Sequence, residues 1–164
     1  MTSPQPRVRE IPLENGWLVK NQLDRVDFED AFAVDVDPAL PNDPQWWIDL
    51  VFANPPKPVV AMMWLRNLVM KPFGVKRSKE DAVFAPLDAN EHEIVLGTND
   101  KHLNFRASVI VEQRDGDQTV TMTTVVKFNN KYGRLYFVPV KPMHKYVVLP
   151  MLLRHAAKSA AKTL

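Results

Sequence analysis

The chain has 164 residues, of which 46% are apolar and 24% are charged, and this composition fits one globular domain with one core. Its 21 basic and 19 acidic side chains give a formal charge of +2, which is too small to indicate a nucleic-acid partner. The chain contains no cysteine, which excludes disulfides, thiolate metal sites and a cysteine nucleophile.

The first twelve residues do not have the pattern of a targeting segment. The segment 1–12 is rich in proline and lacks an apolar stretch, so we expect a disordered tail and no signal peptide. The longest apolar-rich stretch, 59–70, is too short to span a bilayer. We therefore expect a cytoplasmic protein without membrane insertion, in which residues 13–164 form a single domain.

The first half of this domain predicts one strand and two helices. Residues 29–37 alternate between apolar and polar side chains, which predicts a half-buried strand. Asp43 and Pro44 form a helix-start signal, so we predict a first helix from there to Ala53. Two prolines end that helix, and apolar residues at helical spacing predict a second helix over 57–70.

The second half predicts an antiparallel sheet. A short strand at 82–87 precedes four consecutive strands, HEIVLG, LNFRASVIVEQ, QTVTMTTVVKF and GRLYFVPV, the last of which covers 133–140. Asp115-Gly116 between the second and third of these predicts a tight hairpin turn. One face of the sheet is apolar and the other is polar, with Ile110 as an exception on the polar face. The apolar face must be covered by another element.

The end of the chain supplies a predicted cover for this sheet. Lys141-Pro142 begins an amphipathic helix that we predict over 143–162. Pro150 lies inside this pattern and should remove one backbone hydrogen bond and kink the helix.

This order of elements resembles the helix-grip (START-like, SRPBCC-type) fold, an α+β fold in which a curved antiparallel sheet wraps around a long C-terminal helix. The residues are similar to those of the bacterial domain-of-unknown-function family 2867 (DUF2867) from about Val26 to Ala157. The resemblance is densest at EIVLGTNDKHLNFR, and Pro142-Met143-His144 stands where the family has Pro-Phe-His. It implies a hydrophobic cavity between sheet and helix, members that occur alone or behind a Rossmann-type domain, and no established catalytic residues.

A polar cluster is predicted at the first hairpin. Asp100, His102 and Arg106 could share one face of the sheet, where the carboxylate would orient the histidine and the guanidinium would hold an anionic group. In the structural alternative, which we favour, Asp100 caps turn amides and Arg106 pairs with Glu93 or Glu112 across the sheet.

The expected function is binding of a small apolar or aromatic molecule, with one acidic or carbonyl group, in the cavity. Tryptophans of the helix pair could form a lid over it, although at least one of Trp46 and Trp47 is expected in the core. The residues predicted to line the cavity are Trp64, Phe105, Met122, Thr124, Tyr136, Val147 and Met151.

Two other functions stay open, and fold alone does not choose among the three. A cyclase- or hydratase-type enzyme would need an acid or base in the same cavity, and the candidates are His144, Tyr136 and Glu93. A protein-interaction module with a filled core would bind a second copy of the chain or a Rossmann-type protein. The histidines lack metal-ligand spacing and no G-x-G-x-x-G is present, so neither a metal nor another cofactor is expected.

Overall fold

The computed structural model describes residues 6–70 and 86–164 of the chain. The strands are β1 (Arg9–Glu10), β2 (Phe28–Val36), β3 (Pro86–Ala89), β4 (Glu93–Asn99), β5 (Leu103–Arg114) and β6 (Asp117–Phe128). The helices are α1 (Pro44–Ala53), α2 (Lys57–Met70), α3 (Lys131–Met143) and α4 (Leu149–Ala160), with a 3-10 turn at Leu18–Asn21 and a π-helical segment at His144–Val148. The strands form one open, curved antiparallel sheet in the order β1-β2-β6-β5-β4-β3, and this α+β arrangement is consistent with the predicted helix-grip fold.

The hairpin between β5 and β6 forms the centre of the sheet. Asp115 and Gly116 have φ angles of 54° and 91°, and two positive angles in succession are what the tightest hairpin turn requires. The strands pair without interruption from Arg114 opposite Asp117 to Leu103 opposite Phe128. The predicted turn is confirmed, and it fixes which side chains of the two strands face the helices.

One side of the sheet, called here the helix-facing side, packs against α1 and α4. The buried side chains of α4 recur at intervals of three and four residues, which places them on one helix face. The sheet contributes Phe32, Val34, Ile94, Leu96, Val109, Val111, Val120 and Met122 to this core.

The opposite side of the sheet is also covered, which the prediction of a polar face did not include. Trp17 and Val19, from the segment that contains the 3-10 turn, pack on Ala31, Val95 and Ile110. Ile110 therefore breaks the alternation because it lies under this segment, where it is fully buried. The N-terminal part of the domain acts as a second cover.

The prediction of a fourth strand at 133–140 is wrong, because these residues belong to α3. Asn130 caps this helix through its side-chain oxygen, which accepts hydrogen bonds from the backbone of Tyr132 and Gly133. Gly133 and Phe137, four residues apart, form the buried face. Alternating β-branched and aromatic residues imitate a strand here, and tertiary packing overrides that preference. The terminal helical region therefore begins at Lys131 and not at Lys141.

The remaining boundaries agree more closely with the sequence. The predicted first strand and both following helices are present, and Asp43 caps α1 by accepting from the backbone of Gln45. The short strand predicted at 82–87 is observed at Pro86–Ala89, and residues 82–85 lie outside the described part of the chain. Within the segment 1–12, Arg9–Glu10 pairs with β2.

Candidate functional site

A carboxylate lies in the middle of the apolar core on the helix-facing side. Asp30 on β2 is paired across the sheet with Thr124 on β6, which is paired with Ala107 on β5. The row on one side consists of Phe28, Val126 and Phe105. The row on the other side consists of Phe32, Met122 and Val109. One polar row is thus enclosed between two apolar rows, at a depth where Asp30 exposes only 1% of its side chain.

The last helical region brings a histidine to this carboxylate. Nδ1 of His144 lies 3.6 Å from Oδ2 of Asp30, so the two groups form an ion pair when the imidazole is protonated. His144 is the first residue of the π-helical segment, and its carbonyl accepts a hydrogen bond from the N–H of Leu149, five residues later. Pro150 has no N–H to donate, which favours this irregular bonding directly before it. Single π-helical turns occur frequently at functional sites.

Several polar atoms of this cluster have no hydrogen-bond partner among the residues that the structure describes. They are both carboxylate oxygens of Asp30, Oγ1 of Thr124 and Nδ1 of His144, and each is buried. Burying such groups without partners costs about 1–3 kcal/mol each, so native proteins rarely leave several together. We call Asp30, Thr124 and His144 the polar cluster; it is the strongest candidate for a functional site in the described chain.

Apolar side chains next to the polar cluster are only partly covered. Ala107 and Phe105 on β5 face the helices yet are half-buried, and so are Val147 and Met151 on the helical side. Neighbouring core residues such as Val109 and Met122 are buried. The covering of the sheet is therefore incomplete at the β5 end of this row, at Ala107, whereas Asp30 and Thr124 are buried.

The family of the chain follows from a comparison with protein-family models. The model described as "Protein of unknown function (DUF2867)" matches residues 22–151. The chain belongs to this family. The resemblance to DUF2867 is confirmed, and the match includes all three residues of the polar cluster. Comparisons of this DUF2867 chain with curated proteins and with solved structures found no match.

The residues predicted to line a cavity in this DUF2867 protein occupy different environments. Thr124 belongs to the polar cluster, Met122 is part of the core beside it, and Phe105, Val147 and Met151 are half-buried near it. Trp64 is 64% exposed on α2 and does not lie in the core. Trp47 is fully buried and donates its indole N–H to the carbonyl of Pro41 at 2.9 Å, as expected for a core tryptophan.

The enzyme candidates chosen from the sequence do not share one site. Tyr136 lies half-buried in α3 instead of on a strand. Glu93 points to the opposite side of the sheet from His144, where it accepts hydrogen bonds from the backbone N–H groups of Leu18 at 2.5 Å and Val19 at 3.1 Å. Its contacts are those of a structural residue that caps the 3-10 turn. His144 lies beside another titratable group, Asp30.

The predicted hairpin cluster has structural contacts. Asp100 accepts from the backbone N–H of His102 at 3.1 Å, and the ring of His102 meets the side-chain amide of Asn130. Arg106 bonds the carbonyls of Thr98 and Phe105 and the side chain of Asn99.

The prediction that Arg106 pairs with Glu93 or Glu112 is wrong, because its guanidinium donates instead to two backbone carbonyls and to the side chain of Asn99. Burial lowers the pKa of this guanidinium from its ordinary value.

Asp30 is the functional candidate that the sequence reading missed. The alternation of β2 places Phe32, Val34 and Val36 on the core side, and the same period of two places Asp30 there as well. An acidic residue at a core position of a strand was therefore visible in the sequence. Its partner could not be found in this way, because His144 is more than a hundred residues away.

Neither a group of metal ligands nor a helix that could cross a membrane is found in the described residues. Within residues 6–70 and 86–164, no three histidine, aspartate or glutamate side chains are grouped as a metal ion would require. Across the same ranges, every helix falls short of the length and apolar character needed to cross a bilayer.

Proposed function

We propose that this protein binds a small apolar or aromatic molecule between the helix-facing side of its sheet and the last helical region, in the manner of START-like domains. The observation that carries the proposal is the polar cluster, whose buried atoms lack partners. A bound molecule would supply those partners and would cover the half-buried side chains of Phe105 and Ala107.

The apolar surroundings favour this class of ligand. The rows on either side of Asp30 and Thr124 are formed by phenylalanine, valine and methionine. Phe28 and Phe137 pack with ring centroids 4.9 Å apart, which gives this end of the site an aromatic wall. A ligand here would exchange water for apolar contacts over most of its surface and for a few polar contacts at the cluster.

Native mass spectrometry of freshly purified protein, compared with the same sample after denaturation, tests the proposal. We expect a mass excess that disappears on denaturation. A matched variant sharpens the result: Ala107→Phe would fill the partly covered position and remove the excess, whereas Ala89→Phe on exposed β3 would retain it. The proposal would be contradicted if the wild-type protein shows no mass excess and no member of a library of apolar molecules raises its melting temperature.

The Asp30–His144 pair favours a second candidate function. A carboxylate that orients a histidine is a common arrangement for general acid–base catalysis, and the distance of 3.6 Å can shorten when a substrate binds. A cyclase- or hydratase-type enzyme would use such a pair to move a proton on the bound molecule. If the protein has this activity, a ligand identified by mass spectrometry will exchange a C–H proton in D2O with wild-type protein but not with His144→Gln.

A further inference from the structure

The polar cluster holds more hydrogen-bond acceptors than donors. An ionised carboxylate accepts at about four lone-pair positions. The cluster offers Asp30 at most the hydroxyl of Thr124 and the Nδ1–H of His144, and neither is within hydrogen-bonding distance in the structure. Asp30 thus lacks donors among all residues that the structure describes.

Other acidic side chains of the domain show that this deficit is local. Glu93 is equally buried, and two backbone N–H groups donate to it. Asp35, on the same strand as Asp30, accepts hydrogen bonds from two guanidinium nitrogens of Arg9 and from the hydroxyl of Thr119. The fold therefore supplies donors to carboxylates that stabilise it, and it supplies none to Asp30.

The lysine that follows His144 in the chain does not compensate for this. Lys145 follows His144 in the chain, but its ammonium group forms an ion pair with Glu10 at 2.7 Å. The hydrogen bond to Glu10 is the main cause that raises the pKa of Lys145, and the charge of Asp30 is a minor one. The site is therefore rich in acceptors and carries no uncompensated positive charge from this lysine.

We infer that the ligand has an apolar or aromatic body and a hydroxyl or amino group that donates a hydrogen bond to Asp30, and that the site rejects carboxylates. This inference rests on the proposed function and narrows it. It corrects the expectation of an acidic or carbonyl group on the ligand, because an anion would lie against the unpaired carboxylate of Asp30, where like charges repel at short range in a poorly solvated site.

Four probes that share one aromatic body test the inference: 2-naphthol, 2-(aminomethyl)naphthalene, 2-naphthoate and 2-methylnaphthalene. Their affinities for the wild-type protein at pH 7 are measured by calorimetry or ligand-observed NMR. A hydrogen bond to a charged partner favours a donor by about tenfold or more. We expect naphthol or the amine to bind at least tenfold more tightly than methylnaphthalene, and naphthoate to bind most weakly.

The variant Asp30→Asn identifies the residue that makes the distinction. It replaces the charged acceptor by a weaker, neutral amide acceptor, so it should reduce the preference for donors and improve naphthoate binding, while the affinity for methylnaphthalene stays unchanged. Asp35→Asn is the control, because it removes the same charge from the same strand at an exposed position on the other side of the sheet. Circular dichroism of both variants verifies that they are folded.

The outcomes separate the two proposals. Naphthoate binding as tightly as naphthol, or a donor preference that Asp30→Asn leaves undiminished, overturns this inference but leaves small-molecule binding in place if Ala107→Phe blocks methylnaphthalene. If none of the four probes binds to the wild-type protein, the result contradicts the binding function and this inference together. Tighter binding of the amine than of naphthol indicates that the ligand is a cation, and the reverse order indicates a neutral hydroxyl.

Discussion

The carboxylate of Glu93 accepts a hydrogen bond from the backbone N–H of Val19 at 3.1 Å, and this contact joins two parts of the chain that are 74 residues apart. A second oxygen of the same carboxylate accepts from Leu18. The 3-10 turn at Leu18–Asn21 thereby has its first amides satisfied by a strand residue. Glu93 thus holds the N-terminal cover on the sheet, on the side opposite to the polar cluster.

We predict that Glu93→Ala lowers the free energy of unfolding by about 1–3 kcal/mol, because one buried and one partly buried amide lose their acceptor. Urea denaturation measures this loss. Hydrogen exchange should show the amides of Leu18 and Val19 losing protection before those of β5 and β6. Glu91→Ala, at an exposed position nearby, is the control and should leave the midpoint of the transition unchanged. Equal stability of the two variants would show that the N-terminal cover does not depend on Glu93.

Local patterns in the sequence were sufficient where one physical cause dominates. The Asp115-Gly116 turn, the cap and proline that open α1, and the alternation of β5 and β6 each depend on neighbouring residues, and all are present in the structure. These elements fix the sheet and one of its covers.

Patterns failed where distant residues decide the outcome. The segment 133–140 has the alternation of a strand, and it becomes a helix because Asn130 caps it and Phe137 packs on Phe28 and Phe128. Arg106 was expected to form an ion pair with a glutamate, and it donates hydrogen bonds to backbone carbonyls instead. The polar cluster itself joins β2, β6 and the π-helical segment, so single residues of it could be noticed but not the combination.

We predict that Gly133→Ala is strongly destabilising. A Cβ at this position would lie 2.0 Å from the carbonyl oxygen of His102, so the first turn of α3 must move away from the start of β5. The shift should cost about 1–3 kcal/mol or more, as overpacking does. Thermal unfolding followed by circular dichroism measures it. Gly16→Ala is the matched control, because a Cβ at Gly16 meets nothing within 4 Å, and it should leave the melting temperature nearly unchanged.

We predict that Asp27 contributes to stability at neutral pH and not in acid. The hydrogen bond from Arg25, supported by the N–H of Phe128, holds the pKa of the Asp27 carboxyl below its usual value. Since the pKa is lower in the folded protein, the contribution is present above the unfolded pKa of about 3.9 and disappears as the pH falls through the folded value.

The variant Asp27→Asn should therefore be less stable than the wild-type protein at pH 7, by about 0.5–1 kcal/mol after solvent screening is allowed for. The two stability curves should converge as the pH falls through the lowered pKa of the folded Asp27 carboxyl, which urea titrations at a series of pH values will show. Asp115→Asn removes a charge from an exposed turn residue and serves as control. Curves that coincide at every pH would mean that the Asp27 contacts contribute no stability in solution.

Neighbouring threonines on β6 allow a direct test of whether the polar cluster is adapted to a ligand instead of to folding. Thr123 and Thr124 are both buried, but they point to opposite sides of the sheet. The hydroxyl of Thr123 forms a hydrogen bond of 2.7 Å with Ser108, whereas that of Thr124 has no partner among the described residues. Replacement by valine removes the hydroxyl in each case and keeps the shape of the side chain.

We predict opposite effects of the two substitutions. Thr123→Val should lower the free energy of unfolding by about 1–3 kcal/mol, because Ser108 is left buried without a partner. Thr124→Val should raise it by about 0.5–1 kcal/mol, because an unsatisfied buried hydroxyl is replaced by a methyl group in an apolar row. Urea unfolding of ligand-free protein measures both. A loss of stability in Thr124→Val equal to that in Thr123→Val would show that the fold itself satisfies this hydroxyl, and the case for a ligand at the polar cluster would then rest on Asp30 and His144 alone.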